Sequence, residues 1–174
     1  DNAPFQLWHH RRNLKMTRQE VRDEQKETDG KPEVKQRIRL LQQQRANQRM
    51  MDEVPQATVV ITNPTHYAVA VRYDQSRDSA PVVVAKGRDR IAARIREIAD
   101  DNGVALFSAP PLARVLFRST KLGQQIPYEL YTAVAQVLAY VLRVRDAARP
   151  WLIDRPEPDV DEAAFVGLNG GAER

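Results

Sequence analysis

The sequence predicts an α/β fold: a small mixed β-sheet of about four strands surrounded by helices, preceded by a long polar helical linker. Three observations predict it. Short runs rich in Val and Ile alternate with segments of helical period between residues 54 and 146. Gly and Pro fall between those runs rather than inside them. The two flanking stretches, residues 1–51 and 147–174, lack the apolar residues that would let them join a core.

The linker, residues 1–51, comes first. In "MTRQEVRDEQKETDG", Thr17 with Glu20 three residues later forms a capping-box start, and Gly30 and Pro32 punctuate the helix. A second helix begins with "PEVKQRIRLLQQQRANQRMM". Its apolar residues reduce to Val34, Ile38, Leu40, Leu41 and the Met50-Met51 end, so it buries little and serves as a connector. The opening "FQLWHHRRNLKM" mixes aromatic and basic residues, as segments beside a membrane do.

The central region, residues 52–146, carries the fold. Ala57 to Thr62 is a β-rich run. After Asn63-Pro64-Thr65-His66, the residues Tyr67, Val69, Val71 and Tyr73 alternate with Ala68, Ala70 and Arg72, which predicts a half-buried strand. "APVVVAKG" is a third strand ending at Gly87. "RDRIAARIREIADDNG" places Ile91, Ile95 and Ile98 on one helical face, with Asn102-Gly103 as its stop. "VALFS" is the fourth strand, and "APPLARVLF" a short helix with proline in its first turn. "PYELYTAVAQVLAYVLRVRD" is a long apolar helix that closes the core. Residues 147–174 are rich in Pro, Gly and acid, so a flexible tail is expected, with Trp151 and Leu152 its first candidates to dock.

Composition excludes several functions. With no cysteine there is no disulfide, thiolate nucleophile or Cys-based zinc site, and a reducing compartment is compatible. Three histidines, two of them the adjacent His9 and His10, are too few for a histidine metal site, and no cofactor motif appears. No apolar run has membrane-spanning length, so the chain as given is expected to be soluble. The net charge of +4 is uneven: residues 1–50 hold 12 Lys/Arg against 7 Asp/Glu, and residues 147–174 hold 3 against 6. The basic arm interleaves both signs in "RQEVRDEQKE", the pattern of a solvated helix more than of a nucleic-acid footprint.

One dipeptide carries chemistry. Asn63-Pro64 reads first as a turn. Pro64 has no N–H, so its nitrogen cannot attack the Asn63 side chain as in ordinary deamidation. The reverse attack stays open: the Asn63 side-chain nitrogen adds to its own main-chain carbonyl, a succinimide closes, and Pro64 leaves as a new N-terminus. Nucleophile and carbonyl belong to one residue, so orientation is the main lever. Proline holds Asn63 in extended conformations, and flanking strands could fix the turn. Backbone N–H groups of the connection are the expected oxyanion donors. His66 is a candidate acid for the departing nitrogen, against the competing reading of a polar turn histidine. Thr65 is better read as a turn hydroxyl than as a nucleophile.

"NPTH" between apolar strands, followed by "YAVAVRYD", "APVVVAKG", "APPLAR" and "GQQIP", closely resembles the export-apparatus switch family of type III secretion (the FlhB/YscU family). "KMTRQEVRDE" and "MMDEVP" match its flagellar branch better than its virulence branch, and the likeness runs from about Phe5 to Asp146. The resemblance implies a cytoplasmic domain of a multi-pass protein of the bacterial inner membrane, joined to an N-terminal transmembrane domain by the polar helices. It implies self-cleavage between Asn63 and Pro64 within Asn63-Pro64-Thr65-His66, with the fragments staying associated. It also implies a switch of export from rod/hook-type to filament-type substrates. The implied partners are the large export-gate protein, the hook-length ruler protein and the rod/hook substrates, with no specific nucleic acid. A hydrophobic substrate-docking patch would map to Ala80, Pro81, Ala135 and Leu138, the last two being three apart on one helix. Burial in the core is the competing explanation for Leu138.

Three other readings compete. A basic nucleic-acid-binding module fits pI 9.6, but no aromatic stacking motif lies on the strands. A turnover hydrolase using Thr65 and His66 lacks an acid partner and a nucleophile elbow. The homologous switch protein of a virulence-type secretion system differs from the first reading only in its branch.

Overall fold

The computed structural model describes residue 22, residues 31–64 and residues 66–169. The Thr17 capping box, the aromatic-basic opening and His9-His10 lie outside them. The chain divides into two compact units, Asp1–Asn47 and Gln48–Arg174.

Helix α1, Pro32–Glu53, starts on its proline, as the punctuation predicts. Val34, Ile38, Leu40 and Leu41 are exposed, and Met50 is its one buried residue. Met50 joins a core cluster with Val54, which draws the end of the linker into the second unit. The compact unit therefore begins a few residues before position 52, where composition placed the boundary.

That unit is built on a four-stranded sheet with the order β3-β2-β1-β4. The strands are β1 Val59–Asn63, β2 Tyr67–Arg72, β3 Val82–Arg88 and β4 Ala105–Ser108. The β1–β2 and β2–β3 pairs are antiparallel, and β4 runs parallel to β1. The connections fit the mixed sheet: the turn 64–66 and the loop 73–81 join antiparallel neighbours, whereas return to β4 uses a helix. That helix is α2, Asp89–Asp101, and it stops at Asn102-Gly103 with Gly103 at φ 71. Helices α3, Pro110–Ser119, and α4, Tyr131–Asp146, follow.

Alternation along the strands feeds two cores. Val59, Ile61, Val69, Val71 and Val83 pack with Leu112, Leu116, Val134 and Val137 of α3 and α4. Val60, Ala68, Ala70, Val84 and Ala85 pack with Ala92, Ile95 and Ala99 of α2. The half-buried reading of β2 is thereby corrected: Ala68 and Ala70 are both fully buried. Their small side chains let α2 lie close over that face, so helices cover both sides of the sheet.

The C-terminal segment also departs from expectation. Residues Pro150–Leu152 and Glu162–Asn169 form 3₁₀ turns. Phe165 is buried with the α3–α4 core, and Val160 packs beside it. Arg114 of α3 pairs with Glu162 at 2.7 Å. Arg155 donates to the Ser108 carbonyl and lies over the Phe107 ring. Trp151 and Leu152, the expected anchors, are exposed. One aromatic side chain with two arginine contacts holds a segment too polar to build a core of its own.

Candidate functional site

Asn63 ends β1, one of the two interior strands of the sheet, with β2 on one side and β4 on the other. It is 8% exposed and pairs with Tyr67, the first residue of β2. Pro64 and His66 are exposed, and Thr65 lies outside the described residues. A peptide bond with a buried side on a rigid strand and an open side in a turn is thus presented to solvent.

The connection is shaped by its backbone. The His66 N–H donates to the Asn63 carbonyl at 3.0 Å. That carbonyl belongs to the peptide bond joining Asn63 to Pro64, so the donor sits on the oxygen that becomes negative when a nucleophile adds to it. One residue earlier, the Thr62 carbonyl accepts the Ala109 N–H at 2.9 Å, tying the end of β1 to the entry of α3. On the far side of the turn, the His66 carbonyl accepts the Asp89 N–H at 3.0 Å.

Packing beneath β2 fixes the other flank. The Tyr67 ring lies 4.8 Å from that of Phe117. Lys86 Nζ donates to the Phe117 and Thr120 carbonyls, each at 2.9 Å. These carbonyls lie at the C-terminal end of α3, where a cation satisfies free acceptors. Burial holds the Lys86 ammonium below the usual lysine range.

The expected docking residues do not form one exposed patch. Ala80 and Leu138 are buried, at 4% and 5% exposure, and Leu138 belongs to the α3–α4 core. Pro81 is partly exposed, and Ala135 is exposed. Three-residue spacing places Ala135 and Leu138 on neighbouring positions of α4, but the helix turns only the second inward. Asp89 and Lys86 escaped the sequence reading. Lys86 stands in an apolar strand, where a lone cation needs a partner. Asp89 follows Gly87 at a strand-to-helix corner, where the chain has to turn sharply.

The fold and this junction define a class: a small α/β domain presenting an Asn-Pro peptide between two antiparallel strands. Residues 2–141 match the FlhB HrpN YscU SpaS family. The chain is similar to the flagellar biosynthetic protein FlhB of Salmonella typhimurium, with 53% identity over 141 residues, covering 81% of this chain and 37% of that protein. The Escherichia coli FlhB is 52% identical, with the same coverage. Among solved structures, the cytoplasmic domain of FlhB from Shewanella putrefaciens is 53% identical with a TM-score of 0.58, covering 64% of this chain and 85% of that one. A mutated EscU C-terminal domain is 27% identical with a TM-score of 0.52, covering 53% of this chain and 92% of that one. This chain belongs to the FlhB HrpN YscU SpaS family. It spans little more than a third of the length of the curated relatives it matches. Among the described residues, no helix is long and apolar enough to cross a membrane, and no His/Cys/Asp/Glu group could hold a metal ion.

Proposed function

We propose that this chain is the switch domain of a flagellar type III export apparatus and cuts itself once between Asn63 and Pro64. The observation that carries the reading is the His66 N–H placed 3.0 Å from the Asn63 carbonyl in a turn held by strands on both sides. The step balances within the chain. Asn63 Nδ2 forms a bond to its own carbonyl carbon and gives up a proton. The C–N bond to Pro64 breaks, and the proline nitrogen takes a proton to become a free amine. Water then opens the succinimide. The exposed turn admits water, and the His66 imidazole is the chain's own candidate acid. This is one event per molecule, not turnover catalysis.

The sheet explains how the pieces would stay together. The fragment ending at Asn63 contributes β1, which has five register pairs with β2 and four with β4, both in the other fragment. Its side chains fill both cores. Cutting therefore frees two chain ends at the surface while leaving the fold assembled, a local change suited to altering partner choice. The inferred partners are the export-gate protein, the hook-length ruler protein and rod/hook substrates. The exposed Ala135 and part-exposed Pro81 are the members of the docking patch that remain available.

The test places Asn63→Ala in the full-length protein in a flagellated cell. Export is expected to stay with rod/hook-type substrates, and the chain to remain one piece on a denaturing gel. Timely export of filament-type substrates by that strain would refute the switch assignment.

A further inference from the structure

We infer that Asp89 is a positioning residue for the cut at Asn63-Pro64, acting through its backbone; this rests on the self-cleavage reading above. Two hydrogen bonds in series make the connection. The Asp89 N–H holds the His66 carbonyl at 3.0 Å, and the His66 N–H points at the Asn63 carbonyl at 3.0 Å. Both peptide groups of His66 are thereby fixed. The oxyanion donor is aimed from β3 and α2, not by the turn alone.

The corner that supplies this bond is specialised. Asp89 has φ 54, and it is the one non-glycine residue with positive φ among the described residues. That left-handed conformation costs an L-residue about 1–2 kcal/mol, and Asp and Asn bear it best among residues with side chains. Gly87 explains why the turn is so tight. A Cβ there would collide with Ile91 Cγ2, so the first turn of α2 rests directly on the end of β3. Arg88 between them is extended and pairs with Tyr67. Residues 88 and 89 therefore grip residues 67 and 66 in turn. The chain carries backbone strain two hydrogen bonds from the scissile carbonyl, and that strain directs the Asp89 N–H toward the loop.

The role belongs to conformation, so substitutions should rank by their tolerance of positive φ and not by charge. Uncut chain made by pulse-labelled cell-free translation gives the first-order cleavage rate of the wild type, Asp89→Asn, Asp89→Gly and Asp89→Val across pH. Melting temperatures come from the same changes in an Asn63→Ala background. Val134→Ala, a core change in α4, serves as a control for lost stability. Asp89→Asn and Asp89→Gly are expected to cut within about twofold of wild type with an unchanged pH profile. Asp89→Val, whose β-branch resists φ above zero, is expected to cut at least about tenfold more slowly, a part of the 10²–10³ that a lost oxyanion donor costs. Val134→Ala should melt lower yet cut at the wild-type rate. A fast Asp89→Val beside a cutting wild type overturns this inference alone. So does a slow Asp89→Asn with a shifted pH profile, which would give the role to the carboxylate. Rates that follow melting temperature through Val134→Ala overturn it as well. A wild-type chain that stays uncut overturns the self-cleavage reading and this inference with it.

Discussion

The sheet has two connections between antiparallel neighbours, and they are held by different means. The β2–β3 connection is fastened by side chains. Asp78 accepts from Arg72 Nε and Nη2 and from the Asp74 N–H, all at 3.0 Å. Asp74 in turn accepts from the Ser76 backbone and hydroxyl. The β1–β2 connection has only backbone bonds among the described residues, and one of its two acceptors is the carbonyl of the Asn-Pro peptide. Side chains secure the loop that stays continuous. Among the described residues, backbone groups shape the loop proposed to break, so loss of that bond would leave the Asp78 side-chain network fastened.

That contrast can be broken at either end. The largest effect is expected from Asn63→Ala, which removes the nucleophile: no fragments should form over any incubation in which the wild type cuts fully, as read by mass spectrometry. Next come two changes at His66. Replacing it with proline deletes the N–H donor and should slow cleavage by about 10²–10³. Replacing it with alanine keeps the N–H and should cost less than about tenfold. A loss of about 10² or more in His66→Ala would show that the imidazole serves as the acid.

The other connection should behave oppositely. Asp78→Ala leaves Arg72 without its partner and the Asp74 N–H without an acceptor. It is expected to lower stability by about 2 kcal/mol in urea unfolding while leaving the cleavage rate unchanged. The hydrogen bonds from Arg72 hold the Asp78 carboxyl below the usual aspartate range, and the Ser76 hydroxyl does the same for Asp74. A carboxylate depressed in the folded state stabilises above its ordinary value, near 4, and that stability is lost as pH falls below it. Acid unfolding of Asp78→Asn should therefore be less steep than that of the wild type below about pH 4. The smallest change is expected from Glu162→Gln in the C-terminal segment, since the part-exposed pair with Arg114 contributes less than about 1 kcal/mol.

Much of this architecture can be read from residue pattern. The four strands, the stop of α2 at Asn102-Gly103 and the proline starts of α1 and α3 are local signals, and local chemistry decides them. That β1 is an interior strand is not local: β4 returns beside it after a helix, and no alternation within "VVITN" announces that. The burial of Ala68 and Ala70 depends on α2 crossing that face, and alanine is silent about which side it faces. In the C-terminal segment, Phe165 finds the core while Trp151 does not, a choice set by where Glu162 and Arg155 meet α3 and β4. At the junction, Asn63 and Pro64 could be proposed from sequence because the chemistry in question is intrinsic to the dipeptide. Asp89 could not, since its contribution is a φ angle and an N–H brought from 26 positions along the chain.

The central claim is that asparagine cyclisation, not attack by water, cuts the chain. It is tested most directly by a mass-resolved time course starting from uncut protein at several concentrations. The account predicts first-order, concentration-independent formation of a fragment ending at residue 63 that first appears one water lighter than its hydrolysed form and later gains that water, beside a fragment beginning at Pro64. A fragment 1–63 carrying the full water from its first appearance, or cleavage that persists in Asn63→Ala, would contradict it.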